Sequence, residues 1–342
     1  MGLEISRATL DGWVMRVGEL LRPITGAMAQ ELLAGNYIQA DETPVGVQSQ
    51  RVRGKNHQAY LWQYSRPGGT VVFDFRLGRG REGPKWFLGN FEGILQSDAY
   101  AAYDHVGGPK IVHAACWAHA RRKFFQAVEL NPEDQTAIGI VAQMDRLFEI
   151  DAHAGEEALS LEDRHFLRLE KSKPLLEEIK SRIEAARSDA LPKSMLAKAC
   201  NYTLTLWARL TRFLDHPMLE LSNNLAENAI RPVALGRRNW IHIGSEEAGP
   251  RVAAIVSIVE TCRRLKIPVR DYLGSVLPGL SDFQSTESRN LRLPLGRPET
   301  NALRTGQRRT GSNSGATSTS MLRATPGCRR TSSARSRVST IW

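Results

Sequence analysis

Long hydrophobic runs are missing from this 342-residue chain. No stretch approaches the roughly 18 unbroken apolar residues that a membrane-spanning helix needs, so we expect no membrane association. The N-terminus lacks the basic region and apolar core of a signal peptide, which argues against secretion. Cysteine is also scarce, because Cys116, Cys200, Cys262 and Cys328 are far apart and form no Cys-x-x-Cys pair. This spacing indicates a reduced, cytoplasmic setting rather than a disulfide framework.

An excess of positive charge is absent from most of the chain. The formal net charge is +10, but residues 283–342 hold eleven Arg, no Lys and two Glu, which leaves residues 1–282 at only +1. Nucleic-acid binding by this body must therefore rest on local basic clusters. The stretch after Asp282 is rich in Arg, Ser, Thr, Gly and Pro, which predicts a disordered tail over residues 283–342.

Hydrophobic periodicity and turn residues predict an α/β protein with an all-α insertion. Residues 1–35 are expected to be helical, with a helix over 6–21 capped by Ser6 and a second short helix after Arg22-Pro23. Residues 36–132 carry the predicted strands Tyr37–Ala40, Ala59–Tyr64, Val71–Phe75, Ile94–Ser97 and Lys110–Ala115, a short helix over Lys85–Leu88 and a helix over Cys116–Leu130. Residues 133–215 are the insertion. Residues 216–282 complete the core with a helix at Glu227, an extended stretch at Trp240–Ile243, and helices over Val252–Leu265 and Val269–Leu277.

Three acidic residues stand in settings that suit a pair of metal ions. Asp41 closes the predicted strand Tyr37–Ala40, Asp98 follows Ile94–Ser97, and Glu227 stands on a later helix among amides. Mg²⁺ prefers carboxylate oxygens, and two such ions about 4 Å apart can activate a water or a 3′-hydroxyl for phosphoryl transfer. Asp41 and Asp98 meet if their strands lie side by side, and Glu227 reaches them from a helix packed on the sheet. This arrangement is a ribonuclease-H-like mixed sheet, although a single Asp at a strand end is more often a turn or cap residue.

Longer sequence blocks around these residues resemble those of insertion-sequence-66 transposases. The blocks are ADETPV at 40–45, LQSDAY at 95–100, ACWAHARRKF at 115–124, NLAENAIRP at 224–232 and GRRNW at 236–240. Their order and spacing match from about residue 3 to residue 282. The resemblance implies a DDE triad of Asp41, Asp98 and Glu227, which binds Mg²⁺ with Mn²⁺ as a substitute. It also implies cut-and-join chemistry on transposon ends and target DNA, a homo-oligomer on DNA, accessory transposition proteins, and a bacterial, nucleoid-associated location.

Basic residues near these blocks are candidate DNA contacts. Arg121, Arg122 and Lys123 form the densest basic cluster of the body, although such runs are often only solvated helix faces. Arg237 and Arg238 are expected to bind the DNA backbone, with a merely solvated pair as the alternative. Arg231 lies four residues after Glu227 on the same helical face, so it is either a phosphate clamp or an ion-pair partner of Glu227.

Four further residues have weaker assignments. Glu42 is expected to point away from Asp41, because side chains alternate along a strand, and so not to bind metal. His119 and Asn224 are expected to support the active site. The spacing of His113, Cys116 and His119 permits a zinc hypothesis, but only three ligands are near, so we favour packing for Cys116.

The two ends of the chain leave alternatives open. Residues 6–21 are either the second helix of a helix-turn-helix or a helix packed on the catalytic domain, and we expect a longer N-terminal DNA-binding region to be missing. Beyond residue 283, one codon choice places a family-like C-terminus in the neighbouring frame, so the tail is either an out-of-frame product or a basic DNA-binding arm. The alternatives to a transposase are a catalytically inactive DNA-binding remnant and a structure-specific nuclease of the same fold.

Overall fold

A mixed β-sheet with flanking helices organises the computed structural model, which describes residues 4–48, 56–240 and 242–280. The strands are β1 Tyr37–Gln48, β2 Asn56–Ser65, β3 Val71–Arg76, β4 Ile94–Ser97, β5 Val112–Ala115 and β6 His242–Ile243. The helices are α1 Arg7–Leu33, α2 Glu82–Leu88, α3 Trp117–Leu130, α4 Gln135–Glu156, α5 Leu161–Leu167, α6 Lys173–Asp189, α7 Met195–Thr205, α8 Trp207–Leu210, α9 Asn224–Trp240, α10 Ala248–Arg264 and α11 Val269–Leu280. The expected α/β class is confirmed, and the tail predicted for residues 283–342 lies outside the described residues.

The sheet places the two aspartate-bearing strands next to each other. Its order is β3-β2-β1-β4-β5, with β6 paired to β1. β1–β2 and β2–β3 are antiparallel, whereas β4 is parallel to both β1 and β5. The register pairs Gln39 with Gln96, two residues before Asp41 and Asp98 respectively. The expected neighbourhood of the first and fourth strands is thus present.

The prediction that Asp41 ends its strand is wrong. β1 continues to Gln48, because its antiparallel pairing with β2 runs without interruption from Gln39–Ser65 to Gln48–Asn56. The parallel partner β4 stops at Ser97, and β6 joins only at Gly46 and Val47. In the described part of the chain, the edge of β1 that faces β4 is therefore open beside Asp41.

The prediction of two N-terminal helices is also wrong, because α1 is continuous and contains Pro23. Leu21, Ile24, Met28 and Leu32 are buried on the face that packs against α10 and α11. Each such side chain contributes about 1.5–3 kcal/mol on burial. Their sum outweighs the cost of about 3 kcal/mol for an internal proline.

The helices cover both faces of the sheet. Tyr37 and Ile94 pack into a core with the helices between residues 117 and 214, whereas Ile38 and Ala40 pack into a second core with α1, α10 and α11. Because side chains alternate along a strand, Gln39 and Asp41 share the face of Tyr37. Asp41 therefore points towards the side of the sheet that the helical region covers.

Arg168 ties this helical region to the segment before α9. Its side chain is 1% exposed, and its guanidinium donates to the Asp151 carboxylate and to the carbonyl oxygens of Phe213 and Leu219. Arg168 begins a short π-helical turn between α5 and α6. Such turns occur mostly as single-turn bulges within helices. No helix among the described residues is long and apolar enough to span a membrane.

Candidate active site

Asp98 lies in a tight turn that follows β4 directly. Its carboxylate Oδ1 accepts a hydrogen bond from the Tyr100 amide at 2.8 Å, which is an Asx-turn. The Ser97 hydroxyl accepts from the Ala99 amide at 3.2 Å, and Ala99 is left-handed at φ 67°. This strained turn reverses the chain and keeps Asp98 half-buried beside the open edge of β1.

Glu227 lies in the first turn of α9, where the Asn223 carbonyl accepts hydrogen bonds from the amides of Ala226 and Glu227 at 2.8 and 3.2 Å. Its Oε2 lies 3.4 Å from Arg122 Nη2. Its Oε1 lies 3.5 Å from His119 Nε2 and has no hydrogen-bond partner, although the atom is buried. Arg122 and His119 share one face of α3, so that helix faces Glu227.

The three carboxylates act on one another electrostatically. Burial raises the pKa of Asp41 well above its ordinary value, and the negative charges of Glu42, Asp98 and Glu227 raise it further. Burial lowers the pKa of His119, although the charges of Glu227 and Asp98 oppose that shift. A neutral His119 cannot neutralise Glu227, whereas Arg122 is a cation that faces this carboxylate.

The chemistry of this cluster fits a hard cation. Carboxylate oxygens are the ligands that Mg²⁺ prefers, and a buried oxygen without a partner, together with mutual repulsion, favours a bound positive charge. Within the described residues, however, no three His, Cys, Asp or Glu side chains are gathered closely enough to hold one metal ion. The carboxylates thus supply the donor atoms that such an ion prefers.

That finding also gives no support to zinc at His113, Cys116 and His119. The Cys116 thiol is buried and accepts a hydrogen bond from the Asn223 amide at 3.5 Å. Burial raises the pKa of Cys116 to about 12, which disfavours the thiolate that zinc requires. Cys116 immediately precedes α3 and packs in the core, as its alternative interpretation expects.

Two buried glutamines connect the acidic strands to the segment before α9. Gln39 and Gln96 are fully buried, and Gln39 Nε2 donates to Gln96 Oε1 at 3.0 Å. Gln39 Nε2 also donates to the Ser222 carbonyl at 3.0 Å, and Gln96 Nε2 donates to the Glu220 carbonyl at 2.7 Å. The Tyr37 hydroxyl donates to Gln96 Oε1 at 2.5 Å. These bonds fix residues 220–222 against β1 and β4.

Asn223, the neighbour of the predicted Asn224, is the buried amide at this position. Its Nδ2 donates to the Ala40 carbonyl at 3.5 Å, next to Asp41, whereas Asn224 is only half-buried. The sequence carries no signal that separates two adjacent asparagines. The distinction appears only in the structure, where α9 begins at Asn224 and the preceding Asn223 side chain is buried.

The basic cluster on α3 spreads over three directions. Arg121 forms an ion pair with Asp145 on α4, with its Nη2 3.1 Å from Oδ2. Arg122 faces Glu227, and Lys123 Nζ lies 5.8 Å from the Tyr202 ring centroid. Consecutive helical residues are about 100° apart, so three adjacent cations do not share one surface. Arg121 therefore ties α3 to α4, and Arg122 and Lys123 lie towards the acidic residues.

The basic residues of α9 have different surroundings. Arg231 is exposed, four residues beyond Glu227. The Arg237 guanidinium donates to the Pro44 carbonyl on β1, three residues beyond Asp41. The side chain of Arg238 lies outside the described residues.

Glu42 is engaged away from the other carboxylates. Its Oε1 accepts from Arg79 Nη2 at 2.7 Å, and its Oε2 accepts from the Tyr103 hydroxyl at 2.8 Å. Both oxygens thus have partners, which leaves Asp41 as the available carboxylate of this dipeptide.

Sequence reasoning missed Tyr202. Its hydroxyl donates to the Asp98 carbonyl at 3.0 Å, from α7 in the helical region. More than 100 residues separate the two along the chain, so no local pattern could reveal the contact. Gln39 and Gln96 had a detectable signal, because each is polar inside an otherwise apolar strand two residues before an aspartate.

Known proteins match this chain over most of its length. The model of a family described as "Transposase IS66 family" matches residues 1–251. The chain is 31% identical over 309 residues to the uncharacterized protein y4hP of Sinorhizobium fredii (strain NBRC 101917 / NGR234), covering 83% of this chain and 55% of that protein. It is 31% identical over 293 residues to y4qI of the same organism, covering 81% and 53% respectively. The chain thus spans about half the length of the curated relatives it matches.

Proposed function

Because this chain belongs to the IS66 transposase family, we propose that it cuts and joins DNA strands at transposon ends. The observation that carries the proposal is that Asp98 and Glu227, on an adjacent strand end and a helix start, lie near enough to Asp41 for their charges to act on it. The rise that the charges of Asp98 and Glu227 cause in the pKa of Asp41 supports a shared site.

The sheet supports a ribonuclease-H-like assignment of the core. Two antiparallel connections, β1–β2 and β2–β3, precede a parallel trio of β1, β4 and β5. In that arrangement the acidic residues stand on β1, after β4 and on a helix that follows. The helices between residues 135 and 214 then form an insertion between β5 and the helix of Glu227.

We propose that Asp41, Asp98 and Glu227 hold Mg²⁺, for which Mn²⁺ can substitute. When bound, such ions activate the attacking oxygen and stabilise the leaving one. Arg122 holds the Glu227 carboxylate and His119 lies beside it, so both set its orientation. Arg122, Lys123, Arg231 and Arg237 bind backbone phosphates, since each lies near a triad residue; the guanidinium groups suit phosphate geometry, and the Lys123 ammonium binds phosphate as a point charge. The assembly on transposon ends and target DNA is a homo-oligomer, assisted by accessory transposition proteins.

Calorimetry with Mn²⁺ tests the metal site directly, because Mn²⁺ favours the same oxygen ligands. Wild type is compared with Asp98→Asn and with Glu184→Gln, a matched loss of one carboxylate on the exposed face of α6. We expect Asp98→Asn to lose binding and Glu184→Gln to retain it. Equal binding by all three proteins would contradict the assignment.

A second candidate function is a DNA-binding protein without catalysis that regulates an intact transposase. The observation in its favour is that the described residues contain no ready-made group of three metal ligands. Incubation of wild type with nicked and intact transposon-end DNA and Mn²⁺ separates the two candidates. The regulatory function predicts binding without new strand ends, whereas the transposase function predicts both.

A further inference from the structure

Arginine and aromatic side chains alternate on the surface next to the Asp98 turn. We call this set the Arg–aromatic row; it consists of Trp86, Arg76, Tyr60, Arg79 and Tyr100. Arg76 Cζ lies 4.1 Å from the Trp86 ring centroid, and Arg76 is the register partner of Tyr60. Arg79 Cζ lies 6.0 Å from the Tyr60 centroid and 4.0 Å from the Tyr100 centroid. Each member thus neighbours the next, from α2 to the turn after β4.

The row ends at the acidic residues. The Tyr100 amide donates to Asp98, and the Tyr100 hydroxyl donates to the Arg79 carbonyl at 3.1 Å. Arg79 Nε and Nη2 donate to Glu42, the neighbour of Asp41, at 2.9 and 2.7 Å. A polymer that lies along the row therefore reaches the turn that holds Asp98.

The outer part of the row is open to solvent. The Trp86 side chain is 69% exposed, and that of Arg79 is 47% exposed. Gly78 and Gly80 flank Arg79, and a Cβ added at Gly80 would meet nothing within 4 Å. The neighbouring Arg81 is exposed, and its Nη2 lies 3.5 Å from the Ala101 carbonyl. Because the residues on either side of Arg79 are glycines, they carry no side chain that could cover the loop.

The balance of charge favours stacking as the main interaction. Asp74 pairs with Arg76, and Glu42 pairs with Arg79, so two of the cations are already compensated. Such a surface binds duplex DNA only weakly, because affinity for a duplex depends mainly on the net positive charge of the protein surface. Unpaired nucleotides differ, because their bases expose faces that stack on aromatic rings and on guanidinium planes.

We propose that the Arg–aromatic row binds an unpaired DNA strand and leads it to Asp98. Trp86 stacks a base, and Arg81 contacts the backbone phosphate alongside. The inference rests on the proposed function, since it names the part of the DNA substrate that this side of the site holds. It adds a binding surface made of residues other than the α3 and α9 cations.

A fluorescent base tests the stacking contact. The full chain is titrated into a hairpin DNA with a single-stranded tail of about 12 nucleotides that contains 2-aminopurine, whose fluorescence falls on stacking. Wild type is compared with Trp86→Ala and with Trp13→Ala, a matched loss of an exposed tryptophan on α1, 56% exposed. We expect quenching by wild type and Trp13→Ala, and about tenfold weaker tail binding with little quenching by Trp86→Ala. A local stacking signal is also insensitive to binding by the eleven arginines of residues 283–342.

Salt dependence tests the phosphate contact with a variant outside the stacked row. Arg81→Ala should reduce the slope of log affinity against log salt by about 0.7 on the tailed DNA. Arg187→Ala, an exposed arginine on α6, should leave the slope unchanged. Thermal unfolding of each variant identifies any loss of folding. The inference requires that Trp86→Ala and Arg81→Ala both weaken binding to the tailed DNA.

The outcomes separate this inference from the proposed function. Equal quenching by Trp86→Ala and Trp13→Ala overturns the inference, as does an equal loss on tailed and blunt DNA, which would assign the row to duplex. Absence of any DNA binding by wild type overturns it as well. Selective loss of tail binding by Trp86→Ala and Arg81→Ala upholds it, even if the wild type cuts no DNA and the proposed chemistry fails.

Discussion

Replacement of Gln96 by leucine should impair DNA cleavage far more than it impairs folding. Gln96 makes three buried hydrogen bonds, to the Glu220 carbonyl, to the Tyr37 hydroxyl and to Gln39. Each is worth about 1 kcal/mol net, and the Glu220 carbonyl loses its side-chain donor. Burial of the leucine offsets part of this loss at about 25 cal/mol per Å² of apolar surface. We expect a net destabilisation of about 2 kcal/mol.

The functional loss has a different origin from the loss of stability. Residues 220–222 lead into α9, and their position on the sheet determines where Glu227 lies relative to Asp41 and Asp98. A displacement of about 1 Å at a catalytic group can reduce a rate by about 100-fold. Metal-dependent cleavage, measured well below the unfolding temperature, should therefore fall by about that factor in Gln96→Leu.

A chemically identical substitution provides the control. Gln143 on α4 is also buried and donates to Glu178 at 3.3 Å, but this partner lies on α6, outside the acidic site. Gln143→Leu should also lower the free energy of unfolding, while it leaves cleavage and Mn²⁺ binding near the wild-type level. If the two variants lose cleavage in equal measure at equal stability, the positioning role of Gln96 is refuted.

Three further predictions follow from the described contacts. Because the folded-state pKa of Asp41 is raised, its contribution to stability is present at low pH and is lost as pH rises through that pKa. Asp41→Asn should therefore stabilise the metal-free protein at pH 8, and it should abolish cleavage. Urea unfolding that shows no higher free energy of unfolding than wild type would contradict this prediction. Arg168→Met should lower the free energy of unfolding by about 3–5 kcal/mol, because it leaves part of the Asp151 charge and several buried carbonyls unpaired. The control in the same denaturation assay is Arg187→Met, at an exposed position. Ala99→Gly should raise the free energy of unfolding by about 1 kcal/mol, since glycine adopts φ 67° without strain. A lower melting temperature of this variant in calorimetry would count against the left-handed turn.

The sequence predicted the location of most elements but not how far they extend. Val71–Phe75 and Ile94–Ser97 were placed closely, because each is a short apolar run between turn residues. β1 extends through Asp41 because a partner strand continues to pair with it, and that partner is defined by the hairpin and not by the local pattern. α1 passes through Pro23 for a comparable reason, since α10 and α11 lie far along the chain.

The candidate site was predictable to a similar extent. Motif blocks and strand positions led to Asp41, Asp98 and Glu227, and the structure brings their elements together; their role as metal ligands stays a prediction. The partners of the basic residues were not predictable. Whether Arg121 contacts Asp145 or DNA depends on how α3 packs on α4, which a charge run does not encode.

Arg168 makes the helical region a poor candidate for removal or exchange. Its guanidinium holds the carbonyls of residues 213–219 from one side, while Gln39 and Gln96 hold residues 220–222 from the other. The side chain of Glu220 is also held, by Arg164 from the same helical region. Deletion of residues 135–210, or their replacement by a different insertion, removes the hydrogen bonds that Arg168 makes to the segment that leads to Glu227. The helical region is thus not a modular attachment, and any shortened catalytic core needs a new anchor for that segment.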